Sequence, residues 1–424
     1  MKKSFLAVLA MCAPFNCKAY EYFLNPIFSA SERYNDNINM LADPPQANWI
    51  TTISPGINFG FRNEKESFMS GFTWNHLAYT NQSELDFDEQ LLNASYENRL
   101  TDRLTLGLTG SYSIRAALNT FSQTGDGGVI LGDPLFSQQG LEQINVGPSI
   151  TYQFDELNSI NLGYSYSQST FDASGQTAIN NPFRSDFNFH QLSSSLNHIL
   201  TERDTTFLTL STSRFESKST GQNQTSYNSI AQVGWQHIFN EQWSASVSGG
   251  LNYSVTDTTF QLLKRCAIPA IPIGNCPIFL QIPASEITDQ NSGIGKIFNI
   301  SIQKSFEKGL ISLGASQNQT PTAQGLQTQT SIFLDSAYKI SERLATGLTA
   351  NYSTSEGTAG VNSNFNRSNY SVSPNVSWIW TPEINLGLSY IYRQQEFETQ
   401  QQPAEGNILH FQFSYSPQLN NQVK

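Results

Sequence analysis

Leu100-Thr-Asp-Arg-Leu-Thr-Leu-Gly-Leu-Thr-Gly-Ser-Tyr-Ser113 returns later in the chain as Ile340-Ser-Glu-Arg-Leu-Ala-Thr-Gly-Leu-Thr-Ala-Asn-Tyr-Ser353, with seven of fourteen positions identical. In the first copy Leu104, Leu106, Leu108, Gly110 and Tyr112 alternate with Thr105, Gly107, Thr109, Ser111 and Ser113. A period of two is the mark of a strand with one apolar and one polar face. The Thr-Asp-Arg and Ser-Glu-Arg triplets read as tight turns, so the repeated unit is a strand–turn–strand hairpin. The same alternation runs through Trp243, Ala245, Val247, Gly249, Leu251 and Tyr253, and again through Tyr370, Val372, Pro374, Val376, Trp378 and Trp380.

Outward from these hairpins, the connections alternate in length. Eight short turns are expected at 62–66, 101–103, 155–158, 201–204, 240–242, 307–309, 341–343 and 381–383. Nine longer loops are expected between them, at 35–48, 81–88, 116–142, 172–186, 216–226, 257–293, 318–326, 355–367 and 397–405. Strict alternation gives eighteen strands, with sixteen as the fallback, because the first strand and the pair around 49–80 carry the weakest pattern. Short periplasmic turns, long extracellular loops and an even strand count predict an all-β, antiparallel up-and-down transmembrane β-barrel.

Composition agrees. Of 424 residues, 38% are hydrophobic, 13% charged and 12% aromatic. Good helix formers are scarce and strand formers abundant, and the aromatics argue against disorder. A soluble sandwich would carry charges on its wet face, whereas the polar face here is Ser, Thr, Asn and Gly. Phe154, Phe239, Trp243, Phe306, Trp378 and Trp380 lie near the short turns, and Tyr112, Tyr166, Tyr253, Tyr352 and Tyr392 at the other strand ends. Leu104 to Tyr112 spans roughly 19–20 Å of membrane normal at the usual rise and tilt, the height of an apolar band between two aromatic girdles.

Residues 1–19 read as a secretory signal peptide: Lys2 and Lys3, an apolar run from Phe5 to Ala13, and small residues at Cys17 and Ala19 before Tyr20. The domain reading is therefore signal 1–19, barrel 20–416 and a C-terminal periplasmic extension 417–424. Loss of Lys2, Lys3 and Lys18 takes the formal charge from −11 to −14, which disfavours nucleic acid as a partner. The expected location is the outer membrane of a Gram-negative bacterium. Export leads to an oxidising compartment, so Cys266 and Cys276 are expected as a disulfide.

Five histidines, His76, His190, His198, His237 and His410, show no metal-ligand spacing, and no nucleophile–base pair is identifiable from spacing. No catalytic, cofactor-binding or metal-binding residue is expected, and the chain is read as a non-enzyme. The expected lumen is roughly 35 Å across, lined by Asn145, Gly147, Ser149, Thr151 and Gln153, by Asn161, Gly163, Ser165 and Ser167, by Gln232, Gly234 and Gln236, and by Asn385, Gly387 and Ser389. Glu97, Arg99, Arg115 and Arg393 are its charged exceptions. Many weak hydroxyl and amide partners suit a hydrated polymer that slides without sticking. Within the 257–293 loop, prolines and the apolar run 267–273 predict a gate that packs Ile268, Ile271 and Ile273 into the barrel mouth.

Phe28-Ser-Ala-Ser-Glu-Arg-Tyr-Asn-Asp-Asn-Ile-Asn39, with Tyr34, Asp36 and Asn37 in a Tyr-x-Asp-Asn turn, resembles the opening of a β-barrel porin family encoded with exopolysaccharide gene clusters. The resemblance implies an eighteen-stranded outer-membrane component of polysaccharide export, partnered by a periplasmic export protein and an inner-membrane copolymerase, and it supplies no catalytic residues. Passive or sugar uptake is the alternative, and a structural or adhesive surface barrel a third. The strand 406–415 resembles the C-terminal signal read by the barrel-assembly machinery, although nine residues follow Tyr415. Outer-membrane lipid, including lipopolysaccharide, is the remaining expected partner, around a monomeric barrel.

Overall fold

The computed structural model describes residues 20–116, 140–171, 186–219, 222–262, 265–266, 281–282, 285–322, 325–357, 366–398 and 402–417. The first half holds β1 (Glu21–Asn35), β2 (Asn48–Arg62), β3 (Glu66–Tyr79), β4 (Phe87–Arg99), β5 (Leu104–Ala116), β6 (Gly140–Gln153), β7 (Asn158–Phe171), β8 (Asp186–Ile199), β9 (Asp204–Ser219) and β10 (Gln222–Ile238). The second half holds β11 (Trp243–Leu262), β12 (Arg265–Cys266), β13 (Gln281–Ile282), β14 (Ser285–Phe306), β15 (Gly309–Thr322), β16 (Gly325–Lys339), β17 (Leu344–Gly357), β18 (Arg367–Thr381), β19 (Ile384–Phe397) and β20 (Ala404–Tyr415). β12 and β13 pair only with each other. The other eighteen strands form one antiparallel sheet that closes where β1 meets β20, in register from Phe28 opposite Tyr415 to Asn35 opposite Ile408.

Closure pairs the two edge strands that an open sheet would leave bare, over Phe28–Asn35 and Ile408–Tyr415, which is why a β-structure can stand in lipid. The side chains are inverted relative to a soluble protein. Val247, Leu251 and Tyr253 of β11 are exposed on the outer surface, while Ser248, Asn252 and Ser254 between them are buried on the lumen side. Leu409, Phe411 and Tyr415 of β20 likewise face outward. The short-turn girdle includes exposed Phe154, Phe239, Phe306, Trp378 and Trp380, with the Lys304 ammonium 4.7 Å from the Trp243 ring centre.

Seven of the eight short turns share one device. Asn63, Thr101, Asp155, Thr201, Asn240, Ser341 and Thr381 each accept, on one side-chain oxygen, the backbone N–H groups two and three residues on. A short polar side chain thus satisfies the donors that the reversal would strand. This is the physical content of the recurring Thr/Ser-Asp/Glu-Arg triplets.

Two expected loops are strand instead. β9 and β10 run on until Ser219 pairs with Gln222, and β15 and β16 until Thr322 pairs with Gly325, which removes the loops expected at 216–226 and 318–326. The 257–293 loop also shrinks, because β11 and β14 stay paired up to Leu262 opposite Ser285. Above the bilayer both faces of a strand are wet, so Thr, Gln and Asn continue the ladder without the alternation that marks it in sequence. β14 meets β15 only from Phe298–Gln317 down to Phe306–Gly309. Residues 1–19, Cys276, Ile268, Ile271 and Ile273 lie outside the described residues, and with them the signal, the disulfide and the gate.

Candidate functional site at the outer mouth of the lumen

The β1–β2 loop folds inward. Ile38 is buried in a cluster with Ile50, Leu77, Tyr79 and Leu85, and Leu77 itself lines a cavity inside the barrel. The loop carries Ile38 and Met40 among polar neighbours, and turning inward buries both of these side chains. Ile38 N–H donates to the Gln46 carbonyl at 2.8 Å, and the Asn39 amide to Gln46 Oε1 at 2.7 Å. Met40 holds a left-handed backbone (φ 49°).

The Tyr-x-Asp-Asn turn rivets this loop to the closing seam. Asp36 N–H donates to the Asn407 carbonyl at 3.1 Å. The Asp36 carboxylate accepts from Asn407 N–H at 2.6 Å and from the Asn407 amide at 2.7 Å. The Asn37 amide donates to the carbonyls of Glu405 and Leu41, both at 2.7 Å, and its oxygen accepts from Leu41 N–H at 3.0 Å. The Arg393 guanidinium donates to the Asn37 carbonyl at 2.9 Å. Charge-assisted bonds to backbone groups are the strong ones, and here they join the first and last strands.

Beneath the loop lies a cavity of about 310 Å³ inside the barrel. Its lining comprises Arg33 and Ser31 of β1, Thr52 of β2, Asn75 and Leu77 of β3, Glu89 and Leu91 of β4, Arg115 of β5, Ile391 of β19, and Ile408 and His410 of β20. Glu89 is held by the Asn75 amide at 3.1 Å and by Ala116 N–H at 3.2 Å. Towards the periplasm a larger space of about 860 Å³ is walled by Asn25, Asn58, Asn93, Ser95, Thr109, Ser111, Asn145, Gly147, Ser165 and Ser167, with Phe23 and Met69 among them.

The four charged candidates separate into two ends. Arg115 lines the outer cavity, and Arg393 is buried beside it as the anchor of Asn37. Glu97 and Arg99 share the lumen-facing parity of Asn93 and Ser95, and lie at the periplasmic end of β4 opposite Gly107 and Thr105. Arg33 and buried Arg367 were not singled out in the sequence, His410 stood there only as one of five dispersed histidines, and Glu89 joins Arg33 and His410 in the recess. Their shared signal is a charge at a lumen parity near the outer strand ends, and only barrel closure brings β1, β4, β5 and β20 to one cavity.

The other histidines sit on the wall. The Nδ1 atoms of His76, His190, His198 and His237 lie 2.7–2.8 Å from Asp88, Tyr164, Asn158 and Asp204 respectively. His237 also stacks on Trp235 with ring centres 5.3 Å apart. Among the described residues no group of three or more His, Cys, Asp or Glu is placed to hold a metal ion.

A closed eighteen-stranded barrel, apolar and aromatic outside and hydroxyl-lined inside, is an outer-membrane β-barrel of porin and transporter architecture. No family model and no curated protein matches the chain. Among solved structures it is similar to the open form of the ferric-catecholate import receptor Fiu from E. coli K12, at TM-score 0.50 and 8% identity over 92% of this chain and 81% of that one. It is also similar to OccK2 (OpdF) of Pseudomonas aeruginosa, at TM-score 0.44 and 9% identity over 93% and 98%. The outer membrane protein opdK of the same organism follows at 0.41 and 11% over 93% and 99%. Identities this low speak to the fold alone.

Proposed function

We propose that the barrel is a passive passage by which hydroxyl-rich solutes of saccharide type enter through the outer membrane. One observation carries the reading. The larger space inside the barrel is walled by hydroxyl and amide groups, among them Asn25, Asn58, Asn93, Ser95, Thr109, Ser111 and Asn145, with no charged side chain in its lining. Such groups exchange bound water for the hydroxyls of a passing solute at little cost. The inward β1–β2 loop and the 310 Å³ recess under it favour solutes of one or two sugar rings over an open pore. Replacing both Asn93 and Asn145, which line that space, with Leu should slow disaccharide permeation into liposomes several-fold while leaving salt conductance within twofold. Equal slowing of salt and sugar would contradict the reading.

Polymer export is the second reading. The nearly uncharged hydroxyl and amide wall of the larger cavity favours it, as does the resemblance at Tyr34, Asp36 and Asn37. It would require a periplasmic export protein and an inner-membrane copolymerase as partners. Gene deletion separates the two: loss of secreted polysaccharide supports export, and unchanged secretion with slowed sugar entry supports uptake.

A further inference from the structure

We propose that the recess beneath the β1–β2 loop is a binding site for a carboxylate-bearing sugar, a hexuronate. The inference deepens the passage reading and rests on it. Arg33 from β1 and Arg115 from β5 line the same recess with a single carboxylate, Glu89. Two cations against one anion leave the recess net positive whatever their internal pairing. Glu89 is itself fixed by Asn75 and by Ala116 N–H, so it is not free to swing out and change that balance. A guanidinium pairs with a planar carboxylate by two parallel N–H···O bonds, and does so most strongly where water is scarce.

The rest of the lining fits the rest of such a molecule. Leu77, Leu91 and Ile408 present an apolar face for the C–H side of a pyranose ring, and neighbouring hydroxyl and amide groups meet its rim. The volume of about 310 Å³ admits one ring with its carboxylate. Arg393 stands next to the recess but is spent on the Asn37 carbonyl, so it holds the roof of the site in place.

The probes are glucuronate, glucose and a short oligogalacturonate, added to the detergent-purified full-length barrel in calorimetry and to single channels in planar bilayers. Glucuronate should bind and interrupt the current, and glucose of the same ring size should do neither at equal concentration. Arg33→Gln and Arg115→Gln should each weaken glucuronate binding about tenfold, with the heat-modified gel shift of a folded barrel retained. Glu89→Gln should tighten it several-fold, a change in the opposite direction that misfolding cannot imitate. Competition by the oligomer assigns the carboxylate to a passing polymer, and its failure assigns it to a free sugar acid. Equal binding of glucose and glucuronate, or glucuronate binding unchanged in both arginine variants, overturns the site. Glucuronate binding without sugar flux upholds the site and overturns the passage, whereas sugar flux without glucuronate binding does the reverse.

Discussion

At the scale of single residues, the decisive contacts are few and local to the seam. Asp36 accepts two hydrogen bonds from Asn407, one from its backbone and one from its amide. Asp36→Ala should therefore destabilise the barrel by about 2–3 kcal/mol, read as a lower midpoint for loss of the heat-modified gel shift. Asp36→Asn, which keeps an acceptor, should lose less than half of that. A midpoint unchanged by Asp36→Ala would mean that the ladder alone holds β1 to β20. Gly406 is a second such residue. A Cβ there would lie 3.1 Å from the Met40 sulfur and 3.2 Å from Arg393 Nε, so Gly406→Ala should loosen the inward loop and raise conductance. Little of this was legible beforehand. Tyr34, Asp36 and Asn37 stand out as a motif, but Asn407 is more than 370 positions away in sequence, and no spacing announces the pairing.

At the scale of elements, the hairpins were the most readable part, because alternation and turn chemistry are local. Trp243 to Tyr253 shows its outer face by period two alone. The outer ends of β9, β10, β15 and β16 did not read as strands, because both their faces are polar. The inward turn of 36–47 was hidden for another reason: its Asn-rich composition looks like a surface loop, and the burial of Ile38 depends on Leu77 and Leu85 from the next hairpin. The wall also carries a testable packing device. Phe207 faces Gly234 across β9 and β10, and a Cβ on Gly234 would lie 2.0 Å from the Phe207 ring. Gly234→Ala should push the ring into the lumen and lower single-channel conductance, and adding Phe207→Ala should restore it. Failure of the second change to restore conductance would show that the first distorts the strand instead. Among the turns, Asp155 is held below the usual carboxylate range, first by the Asn158 side-chain amide and then by Leu157 N–H. A lowered folded value means that its contribution is present at neutral pH and fades as pH falls through that lowered value. Asp155→Ser keeps an acceptor without the charge, so its melting midpoint should be less sensitive than the parent's between pH 7 and pH 3.

At the scale of the whole molecule, closure is what turns local patterns into a function. β9 and β16 approach each other although four strands separate them along the wall, and the β1–β2 loop fills part of the outer end. Both termini of the barrel fall with the short turns, so tags placed within residues 117–139 or 267–280 should be reached by antibody on intact cells, and a tag at 201–203 should not; reversed accessibility would invert the assigned sidedness. In the proposed function, sugars cross this lumen past a constriction made by the inward loop. Liposome swelling with neutral saccharides of increasing size tests it most directly, comparing the full barrel with one in which residues 38–46 are replaced by a short Gly-Ser link. The full barrel should pass mono- and disaccharides and exclude larger ones, and the shortened loop should move that limit to longer chains. Swelling no faster than in protein-free liposomes, or an identical size limit in two folded barrels, would contradict it.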